Sequence, residues 1–271
     1  MDLLGKYKIS PKHASCLDLG CGGGEITLKL SPYFKFIHGI DKLIHLVSKA
    51  RASSLGTTNV LFSEIDVKDL SSSNLSVDFQ VVIARNALHF VEDVPQLFED
   101  ISSILKLGGG GVFLVITSPL FELGVENDSE LSSLVNNEFE EFCEANFAEE
   151  LNDYWNEGVR RNFAQYCDPE KTLYYNEKFD TVDRFQWTSS SHVHLLDLKD
   201  SLTKLTIVER YIQKNGMDEF DALWDGLLQK VCILMDIAFD DLLFEHVQVL
   251  RMDTFYVQVY SILLDVQEKI D

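Results

Sequence analysis

The chain has 271 residues, 46% of them hydrophobic, which is enough for one large α/β folding unit with a sizeable core. Its formal net charge of −21 at pH 7 would repel a nucleic-acid backbone or an anionic lipid surface over most of the molecule. Nucleic-acid binding is therefore not expected, and no apolar run is long enough for a membrane anchor. The five cysteines are scattered and lack metal-ligand spacing, so we expect a cytoplasmic protein without a bound metal.

Short apolar runs alternate with helical patterns over residues 15–117. Strands are predicted at 16–19, 36–40, 60–65, 79–84 and 112–117, and helices at 25–30, 43–53 and 94–105. This alternation favours an α/β fold with a doubly wound, mostly parallel sheet and helices on both faces.

The second half of the chain is predicted to be helical, with two late strands. Helices are predicted at 126–150, 149–165, 198–214 and 220–239, and strands at 181–187 and 255–262. The late strands would close the sheet at one edge, giving seven strands. We expect one domain over 1–271, with a cofactor-binding half at 15–117, a helical substrate cap with a late strand at 118–220, and the last helix and closing strands at 221–271.

A glycine-rich loop follows the first predicted strand directly, in the segment Cys16-Leu-Asp-Leu-Gly-Cys-Gly-Gly-Gly24. Glycine lets the backbone turn sharply and approach a ligand closely. Backbone N–H groups at the start of the next helix point toward whatever the loop holds. The segment therefore predicts a cofactor site.

Acidic residues stand at the ends of the next two predicted strands. Ligands of a parallel sheet bind beyond the carboxyl ends of its strands. There, Asp41 can accept both hydroxyls of a ribose, and Asp66 can accept from an exocyclic amine. The alternatives are a helix N-cap for Asp41 and a turn residue for Asp66. Their placement at consecutive strand ends, after the glycine loop, favours an adenosine pocket.

Residues 15–117 resemble the class I S-adenosylmethionine-dependent methyltransferases. Leu17-Asp-Leu-Gly-Cys-Gly-Gly-Gly24 is similar to their first motif, Gly39-Ile-Asp41 to their ribose-binding acidic position, and Ile65-Asp-Val67 to the edge that contacts adenine. Lys106-Leu-Gly-Gly-Gly-Gly111 stands where the family usually has Lys-Pro-Gly-Gly. The resemblance implies a Rossmann-like methyltransferase fold and S-adenosyl-L-methionine as cofactor. It also implies these cofactor-binding residues: Asp18, Gly20, Cys21, Gly22, Gly24, Asp41, Lys42, Asp66, Val67 and Arg85.

Two alternatives to an active methyltransferase are open. Dinucleotide-binding dehydrogenases also have a glycine loop and a later acidic residue, but Gly20-Cys-Gly-Gly-Gly24 fits their G-x-G-x-x-G motif less well, so an NAD-dependent oxidoreductase ranks lower. Only about fifteen residues precede the first strand, where methyltransferases of this type carry a segment that covers the cofactor. A non-catalytic binding protein or partner subunit is therefore the other alternative.

The segment Ala87-Leu-His-Phe90 is similar to the Leu-His-Trp element of the trans-aconitate and juvenile-hormone-acid type methyltransferases, and the later order of elements is loosely similar to the fungal trans-aconitate group. This resemblance implies a small-molecule acceptor methylated on a carboxylate or hydroxyl oxygen. Enzymes that methylate nitrogens of nucleobases or glutamine carry an Asn/Asp-Pro-Pro-aromatic motif, where this chain has Ala84-Arg-Asn-Ala87. That difference also favours an oxygen acceptor.

Further residues are candidates for catalysis and for acceptor binding. His89 is the candidate catalytic base for a hydroxyl acceptor, with a buried structural histidine as the alternative. A carboxylate acceptor needs no base. The candidate substrate residues are Tyr154, Trp155, Arg160 and Arg161, with core aromatics and solvated arginines as the alternative interpretation.

Overall fold

The computed structural model describes residues 2–73, 75, 77–118, 121–154, 157–168, 178–203, 205–237 and 248–263. The chain forms two compact units. The first contains Met1–Ser118, Asn162–Gln186 and Phe255–Asp271, and the second contains Pro119–Arg161 and Trp187–Thr254. The single domain expected from the sequence, with its cofactor-binding half, cap and closing strands, stays a prediction.

Eight strands occur in the described residues. They are β1 (Ser15–Leu19), β2 (Phe36–Asp41), β3 (Val60–Glu64), β4 (Val81–Arg85), β5 (Gly111–Thr117), β6 (Glu122–Gly124), β7 (Thr181–His194) and β8 (Gln248–Ile262). In the first unit, β3-β2-β1-β4-β5 are parallel, β8 is antiparallel to β5, and β7 pairs with β8. The strand order reverses between β1 and β4. This arrangement confirms the predicted doubly wound, mostly parallel sheet.

Helices connect the parallel strands and make up most of the second unit. They are α1 (Asp2–Lys6), α2 (Glu25–Leu30), α3 (Ile44–Ser53), α4 (Val94–Leu107), α5 (Ser129–Tyr154), α6 (Glu157–Tyr166), α7 (Leu195–Leu202), α8 (Thr206–Asn215) and α9 (Met217–Leu234). Single-turn or two-turn 3-10 helices lie at Pro11–His13, Ser31–Tyr33, Val67–Ser72 and Leu88–Phe90. The helices predicted at 25–30, 43–53 and 94–105 therefore correspond to α2, α3 and α4.

The sheet of the first unit is covered on both faces. Leu17 and Leu19 of β1 share a buried cluster with Phe98 of α4. Cys16, whose side chain points to the opposite face, belongs to a cluster with Leu4 of α1. All five residues of β1 are buried, as expected for a strand between two helical layers.

The second unit has its own core and departs from the predicted boundaries. Phe139 and Phe147 of α5 and Phe220 and Trp224 of α9 are all buried in it. β7 continues past residue 187 to His194, and its added residues are mostly exposed, so no apolar alternation marks them. β8 begins at residue 248 rather than 255, and the helix predicted at 198–214 is the pair α7 and α8. β6 is too short for a periodic pattern and has no counterpart in the sequence-based prediction.

Candidate cofactor site

The glycine loop is fixed against the end of β2. The N–H groups of Gly20 and Cys21 both donate to the Ile40 carbonyl, at 2.9 and 3.0 Å. Gly22 and Gly24 have φ values of +55° and +79°, in the left-handed region that favours glycine. A Cβ on Gly24 would lie 2.7 Å from Phe62 Cζ and 2.8 Å from Ala50 Cβ. The loop is therefore packed tightly on α3 and β3, as a rigid cofactor site requires.

Asp18 lies beneath the loop, in the middle of the sheet. Its carboxylate is buried and accepts a hydrogen bond from the Thr27 hydroxyl at 2.6 Å. Burial raises the pKa of Asp18 to about 6, while the Thr27 hydrogen bond and the charge of Arg85 lower it and the charge of Asp41 raises it. The Thr27 contact ties the end of β1 to the first turn of α2.

The raised pKa of Asp18 gives a testable pH dependence. The native carboxyl holds its proton up to about pH 6, whereas the unfolded one loses it near 3.8, so its contribution to stability is lost as the pH rises through this window. We expect the free energy of unfolding of Asp18→Asn, relative to the unsubstituted protein, to rise by about 3 kcal/mol between about pH 3 and 7 in urea titrations. A pH-independent difference would contradict the shifted pKa.

Taking the difference between the two proteins removes the effect of titrating groups that do not interact with Asp18. Burial lowers the pKa of His38 and of His89 to about 4. Neutral buried histidines gain stability as the pH rises, with the opposite sign to Asp18. Both histidines are present in both proteins, so their contributions cancel in the comparison.

Asp41 joins the glycine loop to the start of the segment that leads into α3. One carboxylate oxygen accepts the N–H of Gly22 at 3.0 Å, and the other accepts the N–H of Leu43 at 2.9 Å. Each oxygen keeps acceptor capacity for a further donor. The half-buried carboxylate can therefore hold the loop and still accept ribose hydroxyls.

A cavity of about 400 Å³ opens beyond the ends of β2 and β3. It is lined by Lys42, Glu64, Ile65, Asp66, Asp69, Ser72 and Ser73. The Asp66 side chain caps the 3-10 helix Val67–Ser72, accepting the Lys68 N–H at 3.2 Å, where the alternative interpretation expected a turn residue. Because Asp66 also lines the cavity, capping does not exclude an adenine contact.

The segment after β4 lies on the other side of β1. Arg85 is exposed at the carboxyl end of β4, and Asn86 follows it with φ +48°. A Cβ on Gly20 would lie 2.7 Å from the Cβ of Ala87. The predicted cofactor residues at β1, β2, β3 and β4 therefore lie on the same side of the sheet, at the carboxyl ends of the strands.

His89 is placed in an aromatic environment. Its ring is buried, with centroids 4.1 Å from Phe90 and 5.1 Å from Phe163, edge-on to the latter. With a pKa lowered to about 4, the imidazole is neutral at pH 7. A general base works best with a pKa near the working pH, so this environment suits a structural histidine better than a base. The catalytic role of His89 stays a prediction.

Of the candidate substrate residues, Arg161 is the one whose side chain the structure describes, and it belongs to the second unit. Arg161 is exposed in α6. Trp155 lies outside the described residues, and so do the side chains of Tyr154 and Arg160. Their role in binding an acceptor stays a prediction.

Three residues of the site were missed by the sequence-based prediction: Thr27, Phe62 and Asn86. Thr27 donates a hydrogen bond to Asp18, and the Phe62 ring lies so close to Gly24 that it leaves no room for a Cβ there. Neither contact leaves a signal in sequence spacing. For Asn86, asparagine directly after a strand is a weak signal, because asparagine tolerates positive φ better than most residues.

Within the described ranges, no helix has both the length and the apolar character needed to cross a bilayer. The part of the chain that the structure describes also contains no group of three or more His, Cys, Asp or Glu side chains placed to hold a metal ion.

The residues present fit an adenosine-containing cofactor. The site is rich in carboxylates, which accept from the hydroxyls and the amine of adenosine. A Cβ built on Gly22 meets nothing within 4 Å, so the loop is open on that side for a ligand to approach the backbone. Asp18 and Asp41 also favour a cationic group nearby.

A family model described as a methyltransferase domain matches residues 10–160, more than half of the chain. Curated relatives match shorter segments. A probable S-adenosylmethionine-dependent methyltransferase of Saccharomyces cerevisiae, CRG1, is 33% identical over 111 residues, covering 40% of this chain and 37% of that protein. The trans-aconitate 2-methyltransferase of Deinococcus radiodurans is 32% identical over 99 residues, covering 36% of each. The matches thus span little more than a third of each relative.

A solved structure agrees with the fold over nearly the whole chain. A candidate type II methyltransferase from Anaeromyxobacter dehalogenans superimposes with a TM-score of 0.59 and 16% identity, covering 97% of this chain and 94% of that one. At this identity the likeness shows the fold alone, and it confirms the predicted Rossmann-like methyltransferase fold. The family match shows that the chain belongs to the methyltransferase domain family, which bears out the resemblance to the class I S-adenosylmethionine-dependent methyltransferases.

Proposed function

We propose that this protein transfers a methyl group from S-adenosyl-L-methionine to an oxygen atom of a small molecule. The observation that carries the proposal is the placement of Asp41, which binds the N–H groups of Gly22 and Leu43 beside the 400 Å³ cavity at the ends of β2 and β3. Such a placement would bring an acceptor for ribose, the glycine loop and a space for adenine together. The family match favours this function over the NAD-dependent alternative.

The chain's part in the reaction is to align two molecules and to exclude water. S-adenosyl-L-methionine supplies a methyl group on a positively charged sulfur, and transfer to an acceptor oxygen is an in-line displacement. Asp41 would hold the ribose, and Asp66, Lys42 and Val67 would lie on the adenine side. The remaining residues, Asp18, Gly20, Cys21, Gly22, Gly24 and Arg85, would surround the amino-acid end. Such alignment accounts for much of the rate in a displacement that needs no covalent enzyme intermediate.

Several observations support a small oxygen acceptor. The net charge of −21 disfavours nucleic acid as the acceptor. The segment Ala84-Arg-Asn-Ala87, at the carboxyl end of β4, stands where nitrogen-methylating enzymes carry their motif. One relative is a trans-aconitate 2-methyltransferase, and trans-aconitate is a small carboxylic acid. A carboxylate is ionised at pH 7 and needs no base, which suits a site whose histidine has a low pKa.

We also propose a cytoplasmic location. All five cysteines, Cys16, Cys21, Cys143, Cys167 and Cys232, are free thiols. Burial raises the pKa of the thiol in each of them. Unpaired, protonated cysteines are typical of proteins in reducing compartments.

Two measurements test the proposal. Calorimetry should show binding of S-adenosylhomocysteine and no binding of NAD. Incubation with tritiated-methyl S-adenosylmethionine and a cell extract should then place the label in the small-molecule fraction. Label found chiefly in RNA or protein would contradict the proposed acceptor. Cofactor binding without turnover, together with a stable complex recovered from cells, would instead support the non-catalytic alternative.

A further inference from the structure

Asn86 joins the carboxyl ends of β4 and β5. Its backbone N–H donates to the Ile116 carbonyl at 2.9 Å, and its side-chain Oδ1 accepts the Ser118 N–H at 2.8 Å. Its φ of +48° lies in the left-handed region, which few residues other than glycine adopt and which asparagine tolerates. Two hydrogen bonds and an uncommon backbone conformation therefore hold this turn in one position.

The turn is in direct contact with the glycine loop. Ala87 follows Asn86, and its Cβ lies 2.7 Å from where a Cβ on Gly20 would stand. At that separation Ala87 touches the bare backbone of the loop, and a shift of the turn would either press on Gly20 or open a gap beside it. Asn86 thus controls the spacing between the β4 turn and the loop.

The sheet order places this contact away from the adenosine half of the site. Asp41 and the cavity lie at the ends of β2 and β3, whereas the Gly20–Ala87 contact lies between β1 and β4. Neighbouring strands are about 4.8 Å apart, so β3 and β4 are separated by roughly 14 Å. A cofactor whose adenosine occupies β2 and β3 would extend its amino-acid end over β1 toward β4.

We propose that Asn86 is a positioning residue for the amino-acid end of the cofactor, acting through the contact between Ala87 and Gly20. The inference rests on the proposed function, since it needs S-adenosylmethionine as the ligand. The side-chain oxygen of Asn86, which accepts the Ser118 N–H, matters for binding of the amino-acid end and not for binding of the adenosine end.

Two substitutions separate the side-chain hydrogen bond from the backbone conformation. Asn86→Gly keeps the positive φ and the N–H bond to Ile116 but removes the acceptor for Ser118. Asn86→Asp keeps both an acceptor and a residue that tolerates this φ. Binding of two ligands to each full-length variant would be measured by calorimetry: S-adenosylhomocysteine, and 5′-methylthioadenosine, which lacks the amino-acid group.

We expect Asn86→Gly to weaken S-adenosylhomocysteine binding by about 3- to 10-fold, the usual effect of losing one neutral hydrogen bond, and to leave 5′-methylthioadenosine binding within about twofold. Asn86→Asp should restore S-adenosylhomocysteine binding to within about threefold of the unsubstituted protein. Equal losses for both ligands would show a merely structural role and overturn the inference, as would unchanged binding of both. If the unsubstituted protein binds neither ligand, the proposed function itself fails.

Discussion

Replacing Asp41 with alanine is expected to weaken binding of S-adenosylhomocysteine by about 1.5–3 kcal/mol, or about 10- to 150-fold in the dissociation constant. This is the range for hydrogen bonds to a charged acceptor. The carboxylate acts twice in the site. It would accept the ribose hydroxyls, and it already accepts the N–H groups of Gly22 and Leu43, which fix the loop next to the ligand.

A second substitution separates these two roles. Asp41→Asn keeps one side-chain oxygen, so it can hold one of the two N–H groups but not both, and it loses the charge. We therefore expect the affinity of Asp41→Asn for S-adenosylhomocysteine to lie between the affinity of the unsubstituted protein and that of Asp41→Ala. Thermal unfolding of both variants would show whether the loop also loosens, because two backbone N–H groups lose their partner in Asp41→Ala.

Asp78→Ala serves as a matched control. Asp78 is exposed in the first unit. It precedes β4 and so lies at the amino ends of the parallel strands, whereas Asp41 lies at their carboxyl ends. The control removes one negative charge from a very acidic chain, so it measures any general effect of net charge on ligand binding. Equal affinities of the Asp41→Ala and Asp78→Ala variants would rule out a role for Asp41 in holding the cofactor.

The first half of the fold could be predicted from the sequence because its signals are local. Each parallel strand is a short apolar run that ends at a glycine or a polar residue, and α4 begins at the Asp93 cap and shows a clear apolar stripe. Alternation of strand and helix then leaves few topologies, since crossovers between parallel strands are right-handed. The observed order β3-β2-β1-β4-β5 is one of these.

The second half was harder to predict because long-range pairing and packing decide its boundaries. β7 extends through Trp187 to His194 as an exposed strand, supported by pairing with β8 rather than by burial. At its exposed part, Thr188 hydrogen-bonds Thr254, which lies 66 positions away in the sequence. A pattern read along one segment contains no information on such a partner.

The site shows the same division between local and long-range information. The glycine loop and Asp41 follow strands directly, so their position relative to the sheet is set by local sequence. What holds them depends on side chains that meet only in the fold, such as Thr27 on Asp18 and Phe62 beneath Gly24. The environment of His89 was likewise hidden in the sequence, because Phe163 reaches it from a distant helix.

The second large expected effect is a loss of stability when glycines of the loop are replaced. Two such substitutions differ in whether the new Cβ collides with neighbouring side chains. Gly22→Ala and Gly24→Ala both place a Cβ on a residue with positive φ, which costs about 1–2 kcal/mol. The Cβ of Gly22→Ala meets nothing within 4 Å. At Gly24 the new Cβ would lie 2.7 Å from the Phe62 ring and 2.8 Å from Ala50 Cβ, so overpacking adds about 1–3 kcal/mol.

We therefore expect Gly24→Ala to lower the free energy of unfolding by about 2–5 kcal/mol and Gly22→Ala by about 1–2 kcal/mol, measured by urea denaturation. Combining Gly24→Ala with Phe62→Leu should recover about 1 kcal/mol relative to the sum of the single effects, because the smaller side chain relieves one of the two close contacts. Recovery should be incomplete, since Ala50 remains in place. Equal destabilisation by the two glycine substitutions, or strict additivity with Phe62→Leu, would show that packing of the loop on α3 and β3 does not constrain Gly24.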